Sequence, residues 1–202
     1  MSSSRPPGRS RLHSPFDPAE LQALRSGDPV LLSGTVITAR DAAHQRFAEA
    51  VDAGRPLPVD VAGQTIYFVG PTPARPGHVI GSAGPTTASR MDPYSPLLVS
   101  LGLRAMIGKG RRSPEVRRAM RADGCVYFGA IEGTAALLAS CVISSEVIAY
   151  ADLGAEAVRR LEVLDFPAFV VNDLHGGDLY DQGRQQWRTR TSPESPAARR
   201  SG

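Results

Sequence analysis

Val30-Leu31-Leu32-Ser33-Gly34-Thr35-Val36-Ile37-Thr38-Ala39-Arg40-Asp41-Ala42-Ala43-His44 passes from one periodicity to another within fifteen residues. Residues 30–37 are apolar and β-branched, interrupted only by Ser33-Gly34, and predict a strand. Thr38 then has the character of a helix N-cap, with Asp41 three residues on as an imperfect capping box. The helix that follows carries Ala43, Phe47, Ala50 and Val51 on one face and stops at Gly54. A strand running directly into an amphipathic helix is the building unit of an α/β fold.

The rest of the chain repeats that alternation. Thr65–Val69 predicts a short buried strand, bounded by Gly63 and the turn Gly70-Pro71-Thr72-Pro73. Ser95-Pro96 opens a helix that stops at Gly102, and Ala105–Ile107 is strand-like. Ser113-Pro114-Glu115 opens another helix, ending near Gly124. Beyond it come a strand at Cys125–Phe128, a helix at Thr134–Ser140 and a strand at Glu146–Tyr150. Val158–Val171 alternates weakly and reads as strand despite Pro167.

Composition bounds the function. At 202 residues the chain is long enough for one domain with a real core. Its net charge of +3 is unevenly placed. Residues 184–202 hold five arginines against Glu194, whereas residues 1–183 hold 18 basic and 19 acidic residues. The basicity therefore belongs to a Pro/Ser/Arg-rich tail, which argues against a folded nucleic-acid-binding face. Residues 1–16 and 184–202 read as disordered ends around a single domain at 17–183. Two cysteines, Cys125 and Cys141, form no C-x-x-C pair and suit reduced thiols in a cytoplasmic protein. No apolar leader or membrane-length run is evident.

Lys109 is the only lysine; every other basic residue of the Lys/Arg class is arginine. In Ile107-Gly108-Lys109-Gly110 a compact ammonium with three rotatable donors suggests chemistry that a planar guanidinium does not copy. Arg40 falls in the first turn of a helix, at the end of the macrodipole that favours acids. It makes sense there if it meets an anion that the free backbone N–H groups also bind; a surface ion pair with Asp41 is the alternative. Gly84-Pro85-Thr86-Thr87-Ala88-Ser89-Arg90-Met91-Asp92 adds two hydroxyls and a guanidinium suited to a carboxylate. An Arg90–Asp92 salt bridge and a plain capping threonine would also account for that run. Arg40, Arg90 and Lys109 all follow strand-like segments, and strand-to-helix turns in α/β folds converge where ligands bind. Three cations and two hydroxyls suit a small molecule with two carboxylates. Asp173, His175 and Asp178 fit turn chemistry better than a metal site.

These runs, together with Leu161-Glu162-Val163 and Asp165-Phe166-Pro167-Ala168-Phe169, resemble the β subunit of two-component class I fumarases and L-tartrate dehydratases. The same unit is the C-terminal domain of single-chain class I fumarases. The resemblance spans roughly residues 25–180 and implies a swivelling β/α domain, packed in layers. It implies a hydro-lyase that adds or removes water on a four-carbon dicarboxylate, with a four-iron four-sulfur (4Fe-4S) cluster held by the α subunit of a heteromer. By motif position, Arg40, Thr87, Arg90 and Lys109 bind substrate and Thr86 is the base. A neutral threonine hydroxyl needs a carboxylate to relay its proton, from the partner or from Asp92. The family's closing Gly-Asn-Asp reads Gly176-Gly177-Asp178 here. Another dicarboxylate, such as mesaconate, and a non-catalytic stabilising subunit are the alternatives.

Overall fold

A computed structural model describes residues 9–130 and 135–191. Seven strands occur among them: β1 (Ser10–Ser14), β2 (Pro29–Thr38), β3 (Thr65–Tyr67), β4 (Ala105–Gly108), β5 (Val126–Gly129), β6 (Val142–Ala149) and β7 (Val158–Asn172). The helices are α1 (Pro18–Ala23), α2 (Asp41–Asp52), α3 (Ser95–Ser100), α4 (Pro114–Asp123), α5 (Ala135–Ser140) and α6 (Leu179–Thr191).

Strands β2, β3, β4 and β5 are parallel neighbours in that order. β7 pairs antiparallel with β5 at one side and β2 at the other, so the sheet closes on itself as a barrel. β1 extends it alongside β2, and β6 alongside β7. The protein is thus a mixed α/β domain, but the expectation of a layered sheet is corrected: β2 and β7 are long enough to pair with each other and still reach a second neighbour.

The closed form organises the core through the two-residue period of the strands. Tyr67, Val69, Ile107, Val126, Phe128, Leu161 and Phe166 belong to one apolar cluster, joined by Leu21 of α1, Leu24 just beyond it and Leu138 of α5. Alternate residues of the same strands, Ile66, Phe68, Met106 and Tyr127, belong to a second. There they meet Phe47 of α2, Leu98 and Val99 of α3, and Val116 and Met120 of α4. Among the described residues no helix is long and apolar enough to cross a membrane.

The two ends predicted as disordered are narrower than expected where they fall within the described residues. Residues 10–14 form β1, in parallel register with Val30–Gly34. β1 was hidden because its place depends on a residue far along the chain: a Cβ on Gly34 would lie 2.2 Å from the Ser14 carbonyl oxygen. Leu12 and Phe16 are buried as a result. At the other end α6 carries residues 184–191 of the predicted tail; residues 1–8 and 192–202 lie outside the described residues. Pro167 is accommodated because it faces Leu31 of β2 in a stretch where β7 registers with neither β6 nor β5. Thr38 is not the N-cap of α2: it ends β2, and its hydroxyl joins Ala157 O (3.3 Å) and Arg159 N (3.0 Å) of the β7 approach. The cap residue is Arg40, with no side-chain capping bond.

Candidate active site

The carboxyl ends of the parallel strands gather the residues singled out above. Arg40 lies two residues beyond β2 and Lys109 immediately beyond β4. Thr86 and Thr87 reach the same end because their segment is stitched between β3 and β4. Thr86 N donates to Phe68 O (2.7 Å), Lys109 N to Thr86 O (3.2 Å) and Ala88 N to Lys109 O (2.8 Å). Thr87 and Lys109 thereby form a parallel bridge. Arg90 sits in the 3-10 turn Ala88–Met91 that follows.

The close weave around Lys109 requires glycine before it. A Cβ on Gly108 would lie 2.8 Å from Phe68 Cδ2 and 3.3 Å from the Tyr127 hydroxyl. Lys109, Thr87, Gly110, Gly129, Ala130 and Phe169 contribute to a cleft of about 500 Å³, with Val171, Leu179 and Tyr180 completing its wall. Arg40 and Arg90 are not in its lining. They meet at Asp41 instead, with Arg90 Nε 2.7 Å from Oδ1 and Arg40 Nε 3.5 Å from Oδ2. One end of the barrel therefore carries all five residues in two groups, Thr87 with Lys109 and Arg40 with Arg90. Thr86 and the turn after it connect the two.

Three further residues support this end of the barrel. Glu156, from the 3-10 segment Ala151–Glu156, accepts from Ala42 N (3.0 Å) and lies 3.4 Å from Arg40 Nη2. One carboxylate thus serves an orphan helix N–H and the neighbouring guanidinium, which is how a cation is tolerated at this helix start. Arg112 is buried completely, with Nε 3.0 Å from Asp92 Oδ1, a bond from Nη2 to the Ser95 hydroxyl, and Phe68 and Tyr127 rings against its plane. Burial lowers its affinity for the proton, which Asp92 partly restores. Asp92 also accepts from Ser113 N (2.8 Å), the cap residue of α4. Its ion-pair partner is Arg112, not Arg90. Among the described residues the Thr86 hydroxyl has no carboxylate partner.

His44 is the third. Only 1% exposed, it packs on Phe68 and Tyr94, and its Nδ1 lies 2.8 Å from Arg40 O. A carbonyl only accepts, so Nδ1 carries the hydrogen and holds the Arg40 backbone. Burial lowers the His44 pKa to about 4. Above pH about 6.5 the ring is neutral in folded and unfolded chain alike. Between there and pH 4 the unfolded chain takes up a proton that the folded chain refuses, so acidification destabilises, by roughly 3 kcal/mol in all. His44→Asn keeps a donor for Arg40 O but does not titrate. Urea unfolding at pH 7 and pH 5 is expected to give a smaller stability loss for His44→Asn than for the unsubstituted chain; equal losses would refute the assignment.

The Asp173 turn behaves as its composition suggests: Asp173 accepts from Ser26 N, His175 N and Gly177 N. On α4, Arg117 pairs with Asp178 (2.9 Å) and Asp181 (3.3 Å). Cys125 is buried, and burial pushes its thiol up to about 12.

Cations and hydroxyls thus stand at the carboxyl ends of the parallel strands of a closed α/β barrel. Comparison with known families makes this specific. The family described as "Fumarase C-terminus" matches residues 8–183, and the chain belongs to that family. It is 45% identical over 153 residues to "Fumarate hydratase class I, anaerobic" of Escherichia coli K12, covering 75% of this chain and 28% of that protein. "Fumarate hydratase 1, mitochondrial" of Leishmania major is 46% identical over 153 residues, again with 75% of this chain and 28% of the relative covered. A third relative, named "Putative L(+)-tartrate dehydratase subunit beta" in Methanocaldococcus jannaschii, is 36% identical over 169 residues, with 81% of this chain and 87% of the relative covered. The chain therefore spans little more than a quarter of the fumarate hydratases it matches, and nearly the whole of a protein named as a subunit.

Proposed function

We propose that this chain is the β subunit of a cytoplasmic hydro-lyase that adds or removes water on a C4 dicarboxylate, fumarate/malate or L-tartrate. Its barrel is read as the swivelling domain of that family. Arg40, Arg90 and Lys109 bind the substrate carboxylates, Thr87 contributes a hydroxyl, and Thr86 is the hydroxyl base. The observation that carries this reading is the gathering of three cations and two threonines at one end of the barrel.

The chain's own residues do not fit a 4Fe-4S cluster. Such clusters need three or four thiolates, and the chain has two cysteines, of which Cys125 is buried with a raised pKa. The cluster is accordingly assigned to an α subunit. What this chain supplies is charge. As a proton leaves the carbon beside a carboxylate, negative charge builds on that carboxylate, and fixed cations stabilise it more than they stabilise the ground state. Thr86 has no described carboxylate behind it, so its activating group is assigned to the partner as well.

Co-expression with a cluster-bearing α subunit and anaerobic assay on fumarate, malate and both tartrates tests the reading. The expected result is turnover of one of these by the complex and none by either chain alone. Turnover by this chain alone, or undiminished turnover by the partner alone, would overturn it. Mesaconate in the same assay distinguishes a methyl-branched substrate.

A further inference from the structure

We propose that Asp41 is a positioning residue that holds Arg40 and Arg90 together as a single carboxylate-binding unit; the proposal rests on the hydro-lyase reading above. An arginine beside an aspartate at the start of a helix is ordinarily a surface pair of little consequence. Here the same carboxylate reaches a second arginine from a different segment. Oδ1 lies 2.7 Å from Arg90 Nε, and Oδ2 lies 3.5 Å from Arg40 Nε and 3.5 Å from Arg40 Nη2. Each oxygen serves one guanidinium.

The consequence differs for the two partners. Arg40 is fixed from several sides: Glu156 at its Nη2, His44 at its carbonyl, and a close approach to Gly70. The Arg90 side chain is 51% exposed and rises from a four-residue 3-10 turn. Among the described residues, its ion pair with Asp41 is the contact that restrains it. The pair is made at Nε, so the two η nitrogens remain for an incoming carboxylate. Asp41 also lies between two like charges that would otherwise drive the flexible one outward. A substrate that must meet both arginines then finds them spaced before it arrives, and preorganisation of this kind appears in binding rather than in the chemical step.

Asp41→Asn retains the size of the side chain and one acceptor but loses the charge. In the assembled complex it is expected to raise KM for the dicarboxylate about tenfold, with kcat changed less than about threefold and the melting temperature nearly unchanged. Asp41→Glu, which restores the charge, is expected to recover part of the KM. An unchanged KM would overturn the proposal, as would kcat and stability falling together, which is the signature of a merely structural aspartate. A second measurement is independent of turnover. In the full chain, 15N relaxation at Arg90 Nε is expected to show restricted side-chain motion, and freer motion in Asp41→Asn. Free motion in the unsubstituted chain would refute the Asp41 role even if the complex is active. A complex inactive on every dicarboxylate, with restricted Arg90 motion lost in Asp41→Asn, would refute the hydro-lyase reading and leave the restraint on Arg90 standing.

Discussion

Lys109→Ala is expected to lower kcat/KM of the proposed hydro-lyase complex by about 10²–10³-fold, the loss typical of removing one preorganised charge-stabilising donor, and Lys109→Arg to regain little of it. The residue has almost no backbone latitude. Its N–H and C=O are both engaged, by Thr86 O and Ala88 N, and Gly108 before it packs too closely on Phe68 to admit a side chain. The side chain therefore starts from one fixed place, bridged to Thr87. A guanidinium is longer and planar and presents a fork instead of a compact charge. Steady-state kinetics on the substrate of the unsubstituted complex provide the check. Activity of Lys109→Ala within about threefold of the parent would remove Lys109 from the site.

Asp92→Ala is expected to destabilise the fold by about 3–5 kcal/mol, because it strands a buried cation. For a domain of this size that corresponds to a melting temperature lower by about 10 °C. The Arg112 side chain is fully buried, its Nη1 has no hydrogen-bond partner, and Asp92 is its counter-charge. The same substitution removes the acceptor of Ser113 N at the start of α4. The double variant Asp92→Ala/Arg112→Met is expected to recover more than half of the loss, since an apolar side chain against Phe68 and Tyr127 needs no counter-charge. Urea denaturation of the four proteins closes the cycle. A double variant no more stable than Asp92→Ala would show that the carboxylate acts through the α4 cap and not through Arg112.

What was legible in the sequence was local. Arg40 stood out because a cation opposes the dipole of the helix it begins, and the structure supplies Glu156 as the reason it is tolerated. Lys109 stood out by composition alone. The alternation of strands and helices followed from periodicity, with most boundaries within a residue or two. What was not legible depended on partners distant in the chain. β1 is a short polar strand whose place is set by the missing side chain of Gly34. Closure of the barrel rests on β2 pairing with β7 across more than a hundred residues, and no period of either strand announces its partner. Asp41 looked like half of a capping box because Arg90 lies 49 positions away. Arg112 was one arginine among many, and only burial distinguishes it.

Closure of the sheet gives the site a ruler. Arg40 and Lys109 project from β2 and β4, which are separated by β3 alone. Neighbouring strands lie about 4.8 Å apart, so the two backbones are held about 10 Å from each other. In an open sheet that interval could widen as strands splay, whereas in a ring each strand is fixed by two neighbours. On the proposed reading, the length of diacid that fits between the cations is set less by the reach of two long side chains than by the width of one hydrogen-bonded strand.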